Sequence, residues 1–126
     1  MDIKENLKYT EDHEWLRVEG EFAYIGVSDY AQSQLGDVVF VEVETVGETL
    51  DKGEALGTIE AVKTVSDIFM PVSGEVLELN PILESNPEII NKDPYGEGWV
   101  VKIKIVNPAE LGELMDAAQY KTLIGV

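Results

Sequence analysis

The chain has 126 residues, 44% of them apolar, and its 25 acidic side chains against nine lysines and arginines give a net charge of −16. That length suits one domain with a real core. The acid excess weighs against a binder of phosphate backbones or of anionic membranes, and no apolar run approaches the roughly eighteen residues of a spanning helix. Cysteine is absent, which removes disulfides, thiolate nucleophiles and thiolate metal sites, so any sulfur redox chemistry has to arrive on a cofactor.

The N-terminal stretch Met1 to Tyr9 has neither an apolar signal core nor an arginine-rich presequence, and the expected compartment is the cytoplasm. Glu14 to Glu19 and Phe22 to Val27 hold the branched and aromatic residues that strands favour and are joined at Gly20-Glu21, which predicts a hairpin. His13 is the only histidine. Without a second imidazole or a thiolate it reads as a surface or packing residue, and no metal is assigned. Asp29 with Gln32 has the spacing of a capping box that opens a helix of one to two turns, which Gly36 closes. Asp37 to Val43 is apolar on both faces near its start and is expected to run through the core. Residues 46–53 are charged and turn-rich, as on a loop rim.

Residues 55–74 form one long extended unit with Lys63 near its centre. Gly53 lies before the lysine and Gly74 beyond it, so turn-forming residues flank it almost evenly. Ala55, Gly57, Ile59 and Ala61 alternate with Thr58 and Glu60, and Ile68, Met70 and Val72 with Asp67 and Phe69, a period of two that only Leu56 breaks. Two strands of about eight residues meeting near Lys63 would put it ~25 Å from the glycine turns, at the tip of a hairpin. By itself a lysine between Val62 and Thr64 reads as a solvated turn residue whose stem lies on apolar surface.

Glu75 to Leu79 continues as a strand. Asn80 to Gly98 holds three of the five prolines and is expected to be mostly loop, with one helical turn started at Asn86-Pro87, before Asp93 to Gly98 delivers Trp99 into the core. Trp99 to Val106 alternates Val101, Ile103 and Ile105 with Lys102 and Lys104, the pattern of an outer strand. Asn107-Pro108 with Glu110 predicts a helix with Leu111, Leu114 and Met115 inward. Asp116 with Gln119 caps a second, packed through Tyr120, Leu123 and Ile124. Residues 46–50 and 72–76 are weakly alike, as two halves of a folded-over sheet would be. The sum is a mostly β single domain over residues 1–126, with a short internal helix and C-terminal helices. It shows no glycine-rich phosphate loop, no nucleophile with its base and no ligand cluster, hence no catalytic set of its own.

Four blocks carry a resemblance. Glu-Ala-Val-Lys-Thr-Val-Ser-Asp at 60–67 with Pro-Val-Ser-Gly at 71–74, Tyr-Thr-Glu-Asp-His-Glu-Trp at 9–15, the run from Ser28 to Glu42, and Asp-Pro-Tyr-Gly-Glu-Gly-Trp at 93–99 together resemble, in order and over nearly the whole chain, the glycine cleavage system H-protein family. The resemblance implies a lipoyl-domain-like sandwich of two antiparallel sheets, a barrel-sandwich hybrid. It also implies lipoate in amide linkage on Lys63 and a non-catalytic carrier that is monomeric. The implied partners are a pyridoxal-phosphate glycine decarboxylase, a tetrahydrofolate-dependent aminomethyltransferase, a flavin dihydrolipoamide dehydrogenase and lipoylating enzymes. Carried over by position, Glu14 and Asp67 become the contacts of the arm when it bears the aminomethyl group. Ala61, where serine is common, and Met70, where a smaller residue is usual, depart from the family pattern.

Other classes stay open on the residues alone. A biotinyl carrier would use the same kind of hairpin lysine, although it normally flanks it with methionines, and here Val62 and Thr64 stand in those places. A pure interaction module, or a relay passing lipoate to other dehydrogenase complexes, would keep the fold and lose the glycine chemistry.

Overall fold

The structure is a computed structural model describing all 126 residues, Met1–Val126. In chain order the elements are β1 (Lys8–Tyr9), β2 (Glu14–Glu19), β3 (Phe22–Val27), α1 (Asp29–Leu35), β4 (Val38–Glu42), β5 (Thr49–Leu50), β6 (Ala55–Ala61) and β7 (Val65–Phe69). Then follow β8 (Gly74–Leu79), α2 (Ile82–Ser85), α3 (Ile89–Lys92), β9 (Val101–Ile105), a 3₁₀ segment (Pro108–Glu113) and α4 (Ala117–Ile124). The strands make two sheets, one of six in the order β1-β2-β3-β9-β8-β5 and one of three in the order β4-β6-β7. All pairings are antiparallel. The main apolar core includes Leu16, Ile25, Val41, Leu56, Ile59, Ile68, Val72, Val76 and Ile103 from both sheets, so the two-sheet sandwich is the observed architecture, and a second, smaller cluster joins Ile3, Leu7, Tyr9 and Trp15 to Tyr95, Ala117 and Tyr120.

The hairpin of β2 and β3 and the strand β8 form as their residue patterns predict. The weak likeness of 46–50 and 72–76 has a structural counterpart, because Thr49 pairs with Glu75 and Leu50 with Gly74. Part of the charged rim is therefore a short strand that buries Leu50.

Several expectations are corrected. β9 is an inner strand, paired with β3 on one side and β8 on the other. Its lysines suggested an edge, but Lys102 lays its stem over the sheet and its ammonium 5.0 Å from the Phe22 ring, which lets a charged residue sit on a paired strand. β4 does not cross the core but forms one edge of the small sheet. A register shift between Val38 and Phe40 turns Val39 and Phe40 outward while Val38 and Val41 stay buried. A second irregularity, between Ala55 and Gly57, puts Leu56 inside and leaves Ala55 exposed; the residue that broke the alternation is the one in the core. Trp99 is only half-buried, edge-on to Tyr24 at 5.0 Å, and Trp15 is the tryptophan that is fully buried.

The helices differ in detail. Ser28 caps α1, accepting from the Ala31 amide, and Asp29 instead accepts from the Gln32 side chain. The 80–98 stretch holds two short helices, with Asn86 closing the first. Residues 108–113 are 3₁₀, and Asn107 makes no side-chain cap there. The Asp116–Gln119 capping box of α4 is present in both directions. Tyr120 is its buried anchor, stacked on Tyr9 at 4.5 Å, while Leu123 is exposed.

Candidate functional site

Lys63 stands at the turn of the β6–β7 hairpin, where the Ala61 amide donates to the Thr64 carbonyl and the Val62 amide donates to the Asp37 carbonyl. The second bond ties the turn to the start of β4, so the tip is anchored even though Val62, Lys63 and Thr64 are all exposed. Lys63 has no salt-bridge partner within 4.0 Å, whereas Lys52, the lysine of the other charged turn, pairs with Glu113 at 2.8 Å. Its stem lies across Gly36, where a Cβ would come within 3.1 Å of Lys63 Cε. Gly36 has φ +79° and ψ −160°, a region essentially restricted to glycine. The end of α1 thus becomes a smooth bed for the lysine.

From that bed a cleft of about 400 Å³ runs between α1 and β7. Val27, Ala31, Leu35, Ile59 and Ile68 supply apolar wall, Thr64 stands at the lysine end, and Asp12, His13, Glu14 and Asp67 bring polar groups. Glu14 and Asp67, 53 positions apart in sequence, therefore border one cavity, but in unlike states.

Glu14 is only 2% exposed. Its Oε1 accepts from Thr10 Oγ1 at 2.7 Å and its Oε2 from the Phe69 amide at 3.1 Å. Burial pushes its pKa up from 4.5 to about 7, against the two hydrogen bonds, which act downward. No cation pairs with it. Asp67 is exposed on the edge strand β7, in the row Glu42–Thr58–Asp67 across the small sheet.

His13 holds φ +69°, with Nδ1 2.9 Å from the Tyr120 hydroxyl, which is itself 2.7 Å from Ser28 Oγ. The side chains of His13, Tyr120 and Ser28 thus fasten α4 and the cap of α1 to the wall of the cleft. Burial lowers the His13 pKa, so near neutral pH the imidazole adds no positive charge beside Glu14. The contact of Gly36 with the Lys63 stem, the Thr10 bond to Glu14 and the His13–Tyr120–Ser28 link had no mark in the sequence, because each needs a partner that only the fold supplies. Met70 is buried and lies outside this cleft. It borders a separate cavity of about 340 Å³ behind Glu14.

An unpaired lysine on an anchored hairpin tip, opening onto a half-apolar cleft that ends at a buried carboxylate, defines a carrier domain. The family model for glycine cleavage H-protein matches residues 7–125. Over 124 residues the chain is 60% identical to the glycine cleavage system H protein of Bacteroides fragilis, covering 98% of each, and over 119 residues 55% identical to that of Symbiobacterium thermophilum, covering 94% and 93%. The crystal structure of a glycine cleavage system H protein from Mycobacterium marinum matches with a TM-score of 0.89 at 37% identity, covering 98% of this chain and 100% of that one. The chain belongs to the glycine cleavage system H-protein family, and its role is that of the lipoyl carrier of that system.

Proposed function

We propose that Lys63 carries lipoate in amide linkage, and that Glu14 and Asp67 hold the amine of the aminomethyl cargo while the arm lies in the cleft. The arm then serves, in the cytoplasm, the glycine decarboxylase, the aminomethyltransferase and dihydrolipoamide dehydrogenase in turn, after lipoylating enzymes have loaded Lys63. One observation carries this reading: the cleft that begins beside Lys63 ends at a carboxylate that is buried and lacks a cation. The lipoyl group fits the residues present, since its hydrocarbon tail matches the walls of Val27, Ala31, Leu35, Ile59 and Ile68. Its dithiolane supplies the sulfur that accepts the cargo and a two-electron redox change.

The rest follows from this chain's own groups. Anchoring the tip fixes the root of the arm, so that once this protein has docked on a partner the cargo searches for the active site only within the arm's reach. The apolar walls exclude water from the cargo, which would otherwise lose ammonia. Glu14 selects for charge. Burial raises its pKa towards neutral pH, and an ammonium beside it favours the carboxylate, so docking releases the proton from whatever share of Glu14 is protonated. A charge-assisted hydrogen bond in such a site contributes ~1.5–3 kcal/mol. Asp67, being exposed, contributes at most ~1 kcal/mol. An uncharged arm gains neither and stays mobile.

The test is non-enzymatic release of ammonia from the loaded protein. Glu14→Gln should release it about tenfold faster or more, and Asp67→Asn only a few-fold faster. Equal rates in wild type and Glu14→Gln, with both folded and lipoylated, would defeat the assignment.

A further inference from the structure

Eleven large apolar side chains are exposed on this protein, and four of them, Val39 (52%), Phe40 (48%), Val62 (75%) and Val65 (59%), cluster around Lys63. The register explains why. Phe40 of β4 pairs with Glu60 of β6, and Glu60 with Val65 of β7, so the three stand in one row on the outer face of the small sheet. Val62 occupies the turn beside the lysine, and the β4 irregularity turns Val39 out as well. Exposed acids surround the patch: Asp37, Glu42, Glu60 and Asp67. Lys63 is the only cation among residues 53–91. The patch lies on the outer face, whereas the walls of the arm cleft come from inward residues such as Ile59 and Ile68. Nothing in the carriage of the cargo uses it.

Exposed apolar side chains grouped within an acidic rim are the mark of a protein contact. A second copy of the chain does not suit the place, because it would bring the same acids against one another. We propose that Val39, Phe40, Val62 and Val65 form the docking surface for the enzyme that acylates Lys63, and that this enzyme presents an apolar seat framed by arginine or lysine. The position of the patch decides among partners. In acylation the lone pair of the neutral Lys63 amine forms a bond to the carbonyl carbon of an activated lipoyl donor, a mixed anhydride with a phosphate. The bond from that carbon to the anhydride oxygen breaks with its electron pair, and the nitrogen gives a proton to solvent. The reacting atom is then one lysine side chain away from the backbone, so the enzyme must press on the residues next to Lys63. Enzymes that handle the far end of the completed arm act a full lipoyl length further out.

The inference rests on Lys63 being the lipoylated lysine, and the experiment separates the two. Unmodified protein is given to an ATP-dependent lipoate ligase with lipoate and ATP, and product is followed by intact mass. The double variant Phe40→Ser with Val65→Ser should raise KM about tenfold with kcat unchanged, while Val106→Ser and Leu123→Ser, exposed elsewhere, should leave both constants at the wild-type values. In parallel, calorimetry measures binding of the ligase to Lys63→Arg protein with and without the patch substitutions. Weaker binding by about the same factor supports the surface. Wild-type KM and wild-type binding in the double variant overturn it, as does a loss confined to kcat. If wild type accepts no lipoate on Lys63, the attachment reading fails, and the calorimetry still decides whether the patch binds.

Discussion

Replacing Glu14 by glutamine should stabilise the unloaded protein, and by more as pH rises. The folded state holds this carboxyl at a pKa of about 7 against an ordinary 4.5, so the folded protein keeps the proton where the unfolded chain releases it. Stability contributed by the group is therefore fullest below pH 4.5 and falls as pH rises through 7. At ~1.36 kcal/mol per pH unit the cost reaches about 3 kcal/mol by pH 8, against about 1 kcal/mol at pH 5. Glutamine resembles the protonated acid: its oxygen can still accept from the Phe69 amide and its NH₂ can donate to Thr10 Oγ1, the two groups that Glu14 now uses. The assay is urea unfolding of both proteins from pH 5 to pH 8.5, read by the buried Trp15. The gain at pH 8 should move the midpoint up by roughly 1–2 M. A gap that does not change with pH, or a wild type more stable than the variant at pH 8, would refute the idea that burial holds this carboxyl out of its preferred state.

Other substitutions read neighbouring parts of the site. Ser28→Ala removes the α1 cap and one of the two partners of the Tyr120 hydroxyl together, and a thermal melt should show a loss of about 1–3 kcal/mol. Gly36→Ala should lose ~1–3 kcal/mol from backbone strain and crowd Lys63 Cε, so calorimetric stability and the extent of lipoylation should fall together. At Gly26 a Cβ would stand 2.6 Å from the Trp15 ring; Gly26→Ala should cost ~1–3 kcal/mol by overpacking and shift the tryptophan emission. The acidic surface should speed encounter with basic patches on partners, so the KM of the decarboxylase for this protein should rise as the Debye length shrinks from ~10 Å at 0.1 M salt to ~3 Å at 1 M. An unchanged KM would remove steering from the account.

The parts of the fold that were legible in sequence are those decided locally. The Gly20-Glu21 hairpin, the Asp116–Gln119 capping box and the tip position of Lys63 each depend on residues a few positions apart, and the structure has all three. The misreadings needed knowledge of neighbours. Lys102 and Lys104 look like edge residues until Phe22 and Tyr24 are placed beneath Lys102. Val39 and Phe40 look like core residues until a bulge rotates them outward. At the site, motif resemblance was enough to point to Glu14, but nothing in the sequence marks a glutamate for near-complete burial. That burial sets the carboxylate against the amide of Phe69, 55 positions away, and it is what separates Glu14 from Asp67. The link from His13 through Tyr120 to Ser28 spans 107 and 92 positions, beyond any local pattern.

The central claim is that the hairpin tip carries the arm. Protein made in lipoate-supplied cells and digested for peptide mass spectrometry should show lipoate on Lys63 and on no other lysine. Lys63→Arg protein should fold identically and carry none, because guanidinium does not form the lipoyl amide. Lipoate on Lys52, the lysine of the neighbouring turn, or biotin on Lys63, would contradict the account.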